Sequence, residues 1–127
     1  MTDTTLPPLD VLTVGEAMAL FIAEQPGPLS QVSQFRRATA GAELNVAIGL
    51  ARLGLRVGYL TRLGTDSLGE HVLHTLRSEG VDERYVTRDD THGTGFMLKS
   101  RETDGRDPQI EYHRQHSAAR QMGPADR

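Results

Sequence analysis

AGAELNVAIGLARLG, residues 40–54, is the most regular stretch of the sequence. One face of the helix that it predicts carries four apolar residues at helical spacing: Leu44, Ala47, Ile48 and Ala51. Gly54 stands where helices commonly end in a left-handed residue. Further apolar residues lie beside this face, so we predict a helix that is apolar around most of its circumference and buried between a sheet and another layer.

Short apolar runs flank this helix on both sides. Residues 11–14 and 18–23 have the pattern of strands before it, and residues 57–61 have the pattern of a strand after it. A second amphipathic helix follows and ends at Gly80. The order strand, helix, strand, helix over residues 10–80 predicts parallel βαβ units.

Other extended segments are too polar to bury both of their faces. Residues 94–100 and 109–113 look like two strands joined by a charged turn, in which Asp104-Gly105 is a hairpin signal. We predict that the segments at about 16–39 and 94–114 form a small sheet that stands off the α/β layer.

Composition and charge restrict the functional class. The chain has 127 residues and a formal net charge of −3, and it lacks the basic tract typical of nucleic-acid partners. The absence of cysteine excludes disulfides and thiolate metal sites. No apolar run is long enough for a membrane, and the start lacks a secretory signal. We expect a cytoplasmic protein with a flexible leader at residues 1–9, one domain over residues 10–127, and no nucleic-acid or membrane partner.

Two places in the sequence are candidates for ligand contact. Gly41 and Ala42 lead into the helix, so backbone N–H groups can approach a ligand there. Asn45 follows in the first turn and can both donate to and accept from hydroxyl groups. The alternative is that Asn45 caps its own helix and Gly41 only serves a turn. Glu16 is a weaker candidate, placed at the carboxyl end of a strand, where ligand sites of α/β proteins gather.

Several of these features, in order, resemble the PfkB (ribokinase-type) carbohydrate kinases. Asn45-Val46-Ala47, followed by Gly54 and Gly64, resembles the family's first signature. The turn GTDSLG, residues 64–69, is similar to its G-x-D-x-x-G turn, and Val14-Gly15-Glu16 is similar to its first-strand ending. The resemblance implies an α/β, ribokinase-like fold, with a partial parallel sheet, helices and a small β-lid. It also implies ATP-dependent phosphorylation of a sugar with Mg²⁺.

A departure from the general pattern points to a subgroup. Glu43 stands where the family usually has a small residue, and residues 40–54 resemble 2-keto-3-deoxygluconate kinases. TGFMLKS and IEYHRQHSA resemble the lid strands of that subgroup, in which a Tyr-x-Arg triplet contacts the sugar acid. Tyr112 and Arg114 stand at those positions, whereas Met97 falls where a tyrosine is usual. An arginine fork suits a carboxylate. The implied substrate-binding residues are Gly41, Ala42, Asn45, Tyr112 and Arg114, with Glu16 and Met97 as weaker candidates.

Alternatives to this interpretation stay open. In one of them, Tyr112 and Arg114 do not bind a ligand and are ordinary exposed strand residues. In another the substrate is a neutral sugar, as in fructokinase-like or ribokinase-like enzymes. His113 and His116 flank the proposed site, either as substrate contacts or as polar decoration. The absence of the tyrosine at Met97 leaves the exact sugar undecided.

The phosphate-transfer residues of the family are missing from this sequence. In the family, the catalytic aspartate follows Gly-Ala-Gly, a motif that occurs nowhere in this sequence. Ala125-Asp126 does not replace it, because the glycines before the aspartate are absent. We therefore assign no catalytic, ATP-binding or Mg²⁺-binding residue to this chain and expect these in a full-length parent. In a second interpretation the 127 residues form a non-catalytic sugar-binding or lid-pairing module.

Two further features carry expectations. His71 and His74 lie one helical turn apart without a third ligand at metal-site spacing, so we predict a solvated helix face and no metal site. We expect Phe35, Phe96 and Ile110 to be exposed on the lid strands. The resemblance implies that two such lids pair into a homodimer.

Overall fold

The computed structural model describes residues 6–123. Its strands and helices, in chain order, are β1 Val11–Val14, β2 Met18–Pro26, β3 Phe35–Ala40, α1 Ala42–Arg52, β4 Val57–Gly64, α2 Ser67–Ser78, β5 Val86–Asp89, β6 Phe96–Arg101 and β7 Ile110–His113. Residues 1–5 of the predicted leader lie outside the described part. Within the rest of that leader, the Pro7 carbonyl oxygen accepts a hydrogen bond of 2.7 Å from Arg84 Nη2.

The α/β layer contains a parallel sheet in the order β1-β4-β5. Val11 of β1 pairs with Val57 of β4, and Thr61 of β4 pairs with Val86 of β5. The predicted parallel βαβ arrangement is therefore confirmed. Strand β5 was not predicted. The core of this layer lies between the sheet and the two helices and is formed by Ala17, Leu44, Ala47, Val57, Tyr59, Leu63, Val72, Leu73, Leu76 and Val81.

Helix α1 ends as its sequence predicts, but it is buried less than predicted. Gly54 follows it with φ +93°, the left-handed conformation that favours glycine. Leu44 and Ala47 are fully buried against the sheet. Val46 and Leu53, however, are 53% and 79% exposed. The prediction of burial between two layers is wrong for this face, because among residues 6–123 only the sheet side supplies packing partners.

The polar extended segments form a second sheet in the order β3-β2-β6-β7, which we call the lid. β2 runs antiparallel to β3 and parallel to β6, and β6 runs antiparallel to β7. The predicted separate sheet and the hairpin turn, where Gly105 has φ +79°, are confirmed. Phe35 and Phe96, predicted to be exposed, are half-buried. The ring of Phe96 stacks 4.7 Å from that of His113, and of the three residues only Ile110 is exposed.

A compact hydrogen-bonded turn connects the lid to the α/β layer. Asp66, which precedes α2, accepts hydrogen bonds from Gly69 N at 2.8 Å, from Thr94 N at 3.0 Å and from Thr94 Oγ at 2.8 Å. Thr94 Oγ accepts in turn from Gly64 N at 2.9 Å. A Cβ atom at Gly69 would collide with the carbonyl oxygen of Gly64. The G-x-D-x-x-G turn therefore fixes the position at which lid strand β6 begins.

Candidate functional site

A cavity of about 290 Å³ opens where the carboxyl end of β1, the start of α1 and the lid strands meet. It is lined by Glu16, Met18, Ala40, Gly41, Ala42, Glu43, Met97, Tyr112 and Arg114. Six of the seven residues proposed from the sequence thus lie together, although they come from four distant segments. Their role in substrate binding stays a prediction.

The start of α1 forms one wall of the cavity. Gly41 has φ +143°, and a Cβ atom there would lie 2.7 Å from the carbonyl oxygen of Glu16. Only glycine fits this conformation and this close approach without strain. No side chain caps the helix. Because the first N–H groups of a helix have no partners within it, they can bind an oxygen atom of a ligand at this wall.

Asn45 is the one proposed residue outside the lining of this cavity. It is exposed, and its backbone N–H donates to the Gly41 carbonyl oxygen at 3.0 Å. Its side chain does not cap α1, so the capping alternative is not what the structure contains. No described residue forms a hydrogen bond with its amide, which leaves the amide available to a ligand.

The lid contributes the opposite wall. Met97 of β6 lies directly across the ladder from Tyr112 of β7. Met97 is buried and presents a thioether, which cannot donate a hydrogen bond. Arg114 follows β7, and its Cζ atom lies 4.4 Å from the centre of the Tyr112 ring. No described residue forms an ion pair or hydrogen bond with this guanidinium.

Two carboxylates lie on the floor of the cavity. Glu16 Oε2 accepts a hydrogen bond of 2.6 Å from Ser117 Oγ. Glu43 folds over the end of β1, where a Cβ atom at Gly15 would lie 2.6 Å from its Oε2 atom. Sequence reasoning treated Glu43 only as a subgroup marker and did not include it in the site. Its position in the first turn of α1, close to Gly41, was the feature of the sequence that could have placed it in the site.

A buried hydroxyl group lies close to these carboxylates. Tyr59 is fully buried in β4, and its hydroxyl has no hydrogen-bond partner among the described residues. Burial raises the pKa of Tyr59 well above its usual range, and the negative charges of Glu43 and Glu16 raise it further. The Tyr59 hydroxyl therefore stays protonated at physiological pH.

A second cavity of about 350 Å³ adjoins the first and shares Tyr112 and Arg114 with it. His113 and His116 line this second cavity and not the first. The ring of His113 is stacked on Phe96, and its Nε2 atom lies 3.6 Å from Glu111 Oε1. The two histidines therefore flank the candidate site without entering its wall.

Other sequence expectations concern metals and membranes. His71 is half-buried and its Nε2 atom lies 2.7 Å from the Ala38 carbonyl oxygen of the lid, so the predicted solvated face is wrong for this residue. His74 is exposed. Between residues 6 and 123 no three histidine or acidic side chains form a group that could hold a metal ion. Within the same range, neither helix has the length and apolar character that crossing a membrane requires.

Comparisons with known proteins agree with the sequence resemblance. The model of the pfkB family of carbohydrate kinases matches residues 9–125. The 2-dehydro-3-deoxygluconokinase of Bacillus subtilis (strain 168) is 47% identical over 119 residues, which are 93% of this chain and 36% of that protein. 2-Dehydro-3-deoxygluconate is another name for 2-keto-3-deoxygluconate.

Solved structures match the fold over nearly the whole chain. The PfkB protein from Polaromonas sp. JS666 aligns with a TM-score of 0.90 at 55% identity, over 94% of this chain and 40% of that one. The 2-dehydro-3-deoxygluconokinase of Thermotoga maritima aligns with a TM-score of 0.84 at 30% identity, over 91% of this chain and 35% of that one. The chain thus spans well under half the length of these relatives. The predicted ribokinase-like α/β fold is confirmed, and the chain belongs to the pfkB family of carbohydrate kinases.

Proposed function

We propose that this chain supplies the sugar-binding and lid elements of a longer kinase that transfers a phosphate from ATP to a sugar acid of the 2-keto-3-deoxygluconate type. The observation that supports this substrate class is the guanidinium of Arg114, which lines the cavity without an ion pair among the described residues. An arginine fork pairs with a carboxylate through charge-assisted hydrogen bonds, each contributing about 1.5–3 kcal/mol. Neutral sugars offer no such partner.

The rest of the cavity suits the hydroxyl groups of a sugar. Glu16 and Glu43 are acceptors, and the free N–H groups at the start of α1 are donors. Tyr112 adds a phenolic group that both donates and accepts. Donors in the α1 wall, acceptors on the floor and a cation in the lid wall suit a polyhydroxylated ligand that carries a carboxylate.

We assign the phosphate-transfer step to the part of the full-length kinase beyond this segment. Phosphoryl transfer requires a positioned base and neutralisation of the transferring phosphate. The described residues include no cluster of three or more acidic or histidine side chains that could hold a metal ion, and the Gly-Ala-Gly-Asp motif does not occur in the sequence. In this proposal the present residues bind and orient the sugar, whereas ATP and Mg²⁺ are held elsewhere.

A substrate panel on the full-length kinase tests this proposal. Phosphorylation of 2-keto-3-deoxygluconate, gluconate, fructose and ribose is measured at matched ATP and Mg²⁺ concentrations. We expect kcat/KM to be highest for the keto-deoxy sugar acid. Equal or better use of fructose or ribose would contradict the proposal and favour the neutral-sugar alternative.

The isolated chain gives an independent test of where the catalytic groups lie. We expect the 127-residue protein to release no ADP from ATP in the presence of the sugar acid. ADP production by the pure chain would contradict the assignment of catalysis to another segment. Absence of catalysis in the full-length protein as well would favour the non-catalytic sugar-binding module.

A further inference from the structure

The turn that follows β7 is held in place by one buried serine. The N–H group of Ser117 donates to the Arg114 carbonyl oxygen at 3.2 Å, which closes residues 114–117 into a turn. Ser117 is only 4% exposed, and its hydroxyl donates to Glu16 Oε2 at 2.6 Å. The next residue, Ala118, donates its N–H group to the Gly93 carbonyl oxygen at 2.8 Å. The segment that carries Arg114 is therefore fixed to the body of the domain.

The carboxylate of Glu16 also lies close to the backbone that supports Arg114. A Cβ atom at Gly95 would lie 2.6 Å from Glu16 Oε2 and 3.2 Å from Arg114 Cβ. The absence of a side chain at Gly95 thus lets Glu16 and Arg114 approach each other from neighbouring segments. Glu16 nonetheless forms its hydrogen bond with Ser117, and the Arg114 guanidinium lies over Tyr112.

We propose that Glu16 and Ser117 are positioning residues for Arg114. Their hydrogen bond joins residues that are 101 positions apart in the sequence. It fixes the turn from which the Arg114 side chain extends. Arg114 is thereby kept in place at the cavity wall. This role rests on the proposed function, in which Arg114 binds the carboxylate of the substrate.

A double-mutant cycle in the full-length kinase tests the positioning role. We expect Ser117→Ala to raise KM for the sugar acid about tenfold while changing kcat less than about twofold, because a hydrogen bond to a charged group is lost. In the Arg114→Ala background, Ser117→Ala should raise KM no further, since its effect acts through Arg114. A serine that only stabilised the fold would leave KM unchanged in both backgrounds, and a serine that acted on the sugar independently of Arg114 would raise KM equally in both.

Ser100 provides a matched control. Like Ser117 it is buried, in lid strand β6, and its hydroxyl donates to a carboxylate, Glu102 Oε1, at 2.9 Å. It lies outside both cavities. We expect Ser100→Ala to lower the melting temperature and to leave KM for the sugar acid unchanged.

The outcomes separate this inference from the proposed function. If Arg114→Ala raises KM and Ser117→Ala does not, only the positioning role is overturned. The positioning role alone is also overturned if the double variant shows the sum of the two effects on KM, expressed as free energies. If Arg114→Ala leaves KM unchanged, both the positioning role and the proposed function are overturned. Should Ser117→Ala fail to fold, Ser117→Cys replaces it in the cycle, because a thiol keeps most of the side-chain volume but is only a weak hydrogen-bond donor; its KM effect should likewise vanish in the Arg114→Ala background.

Discussion

The guanidinium of Arg114 lies over the ring of Tyr112, with Cζ 4.4 Å from the ring centre. A cation over an aromatic face is attracted to it, but the ring carries no net charge and therefore leaves the charge of the guanidinium available to an anion. Tyr112 is 52% exposed, so water reaches one side of the pair. This cation–π contact therefore holds a cation in the cavity wall without neutralising it.

Replacement of Arg114 should weaken binding of the acid selectively. We expect Arg114→Ala to raise KM for 2-keto-3-deoxygluconate about ten- to hundredfold in the full-length kinase, because charge-assisted hydrogen bonds are lost. Arg114→Lys should recover part of this loss, since it restores the charge but not the planar fork. KM for a neutral sugar serves as the control and should change far less. An equal change for acid and neutral sugar would mean that Arg114 does not bind the carboxylate.

Replacement of Tyr112 should distinguish the contribution of its aromatic ring to KM from the contribution of its hydroxyl. Tyr112→Leu removes the aromatic face and should raise KM for the sugar acid about two- to fivefold, which corresponds to an exposed cation–π pair. Tyr112→Phe keeps the aromatic face, so any rise in KM that it causes measures the contribution of the hydroxyl alone. Identical KM values for the leucine and phenylalanine variants would show that stacking does not help to hold Arg114.

Local signals predicted most of the elements. Helix α1, within residues 40–54, followed from apolar spacing and Gly54, and the β6–β7 hairpin followed from Asp104-Gly105. Strand β5 was missed because Val-Thr-Arg-Asp has little apolar character, and its pairing with β4 is what makes it a strand. The burial of α1 was overestimated because periodicity identifies an apolar face without identifying what packs against it.

The candidate site was predicted only in part. Family resemblance placed Tyr112, Arg114 and Gly41 at one cavity, but it gave no reason to notice Ser117. A serine in a loop has no periodicity, and its partner Glu16 is 101 residues away. Glu43 was visible in the sequence, yet only the path of its side chain over Gly15 places its carboxylate on the cavity floor. Such long-range contacts depend on the packing of segments and not on local pattern.

Acid should weaken the turn that connects the lid to the α/β layer. Burial alone would raise the pKa of Asp66, but hydrogen bonds from Thr94 N, Gly69 N and Thr94 Oγ outweigh burial and hold the pKa below its usual value. A carboxyl with a lowered pKa in the folded state stabilises that state above its unfolded pKa of about 4. This stabilisation is lost as pH falls from there through the folded pKa.

The pH dependence of Asp66→Asn tests this coupling. We expect the variant to be less stable than the wild type near pH 7, and the difference in the free energy of unfolding to shrink as pH falls below about 4. Urea unfolding at a series of pH values measures it. A difference that stayed constant with pH would mean that the charge of Asp66 does not stabilise the turn.

Two glycines in helices should respond to alanine in opposite directions. A Cβ atom at Gly69 would collide with the Gly64 carbonyl oxygen, and a backbone atom cannot rotate away. We expect Gly69→Ala to lower the free energy of unfolding by about 1–3 kcal/mol or more, as overpacking does. At Gly49, inside α1, a Cβ atom would meet nothing within 4 Å. Gly49→Ala should therefore raise stability by up to about 1 kcal/mol, because alanine favours the helix.

Thermal unfolding of the two variants and the wild type measures whether their stabilities change in opposite directions. Since both changes add one methyl group to a helix, the helix propensity of alanine acts alike in the pair, and the difference isolates the collision at the G-x-D-x-x-G turn. A Gly69→Ala protein as stable as Gly49→Ala would show that this turn relaxes to admit a side chain. The close packing of Gly69 on Gly64 would then not be what sets the start of lid strand β6, and Asp66 with Thr94 would hold it alone.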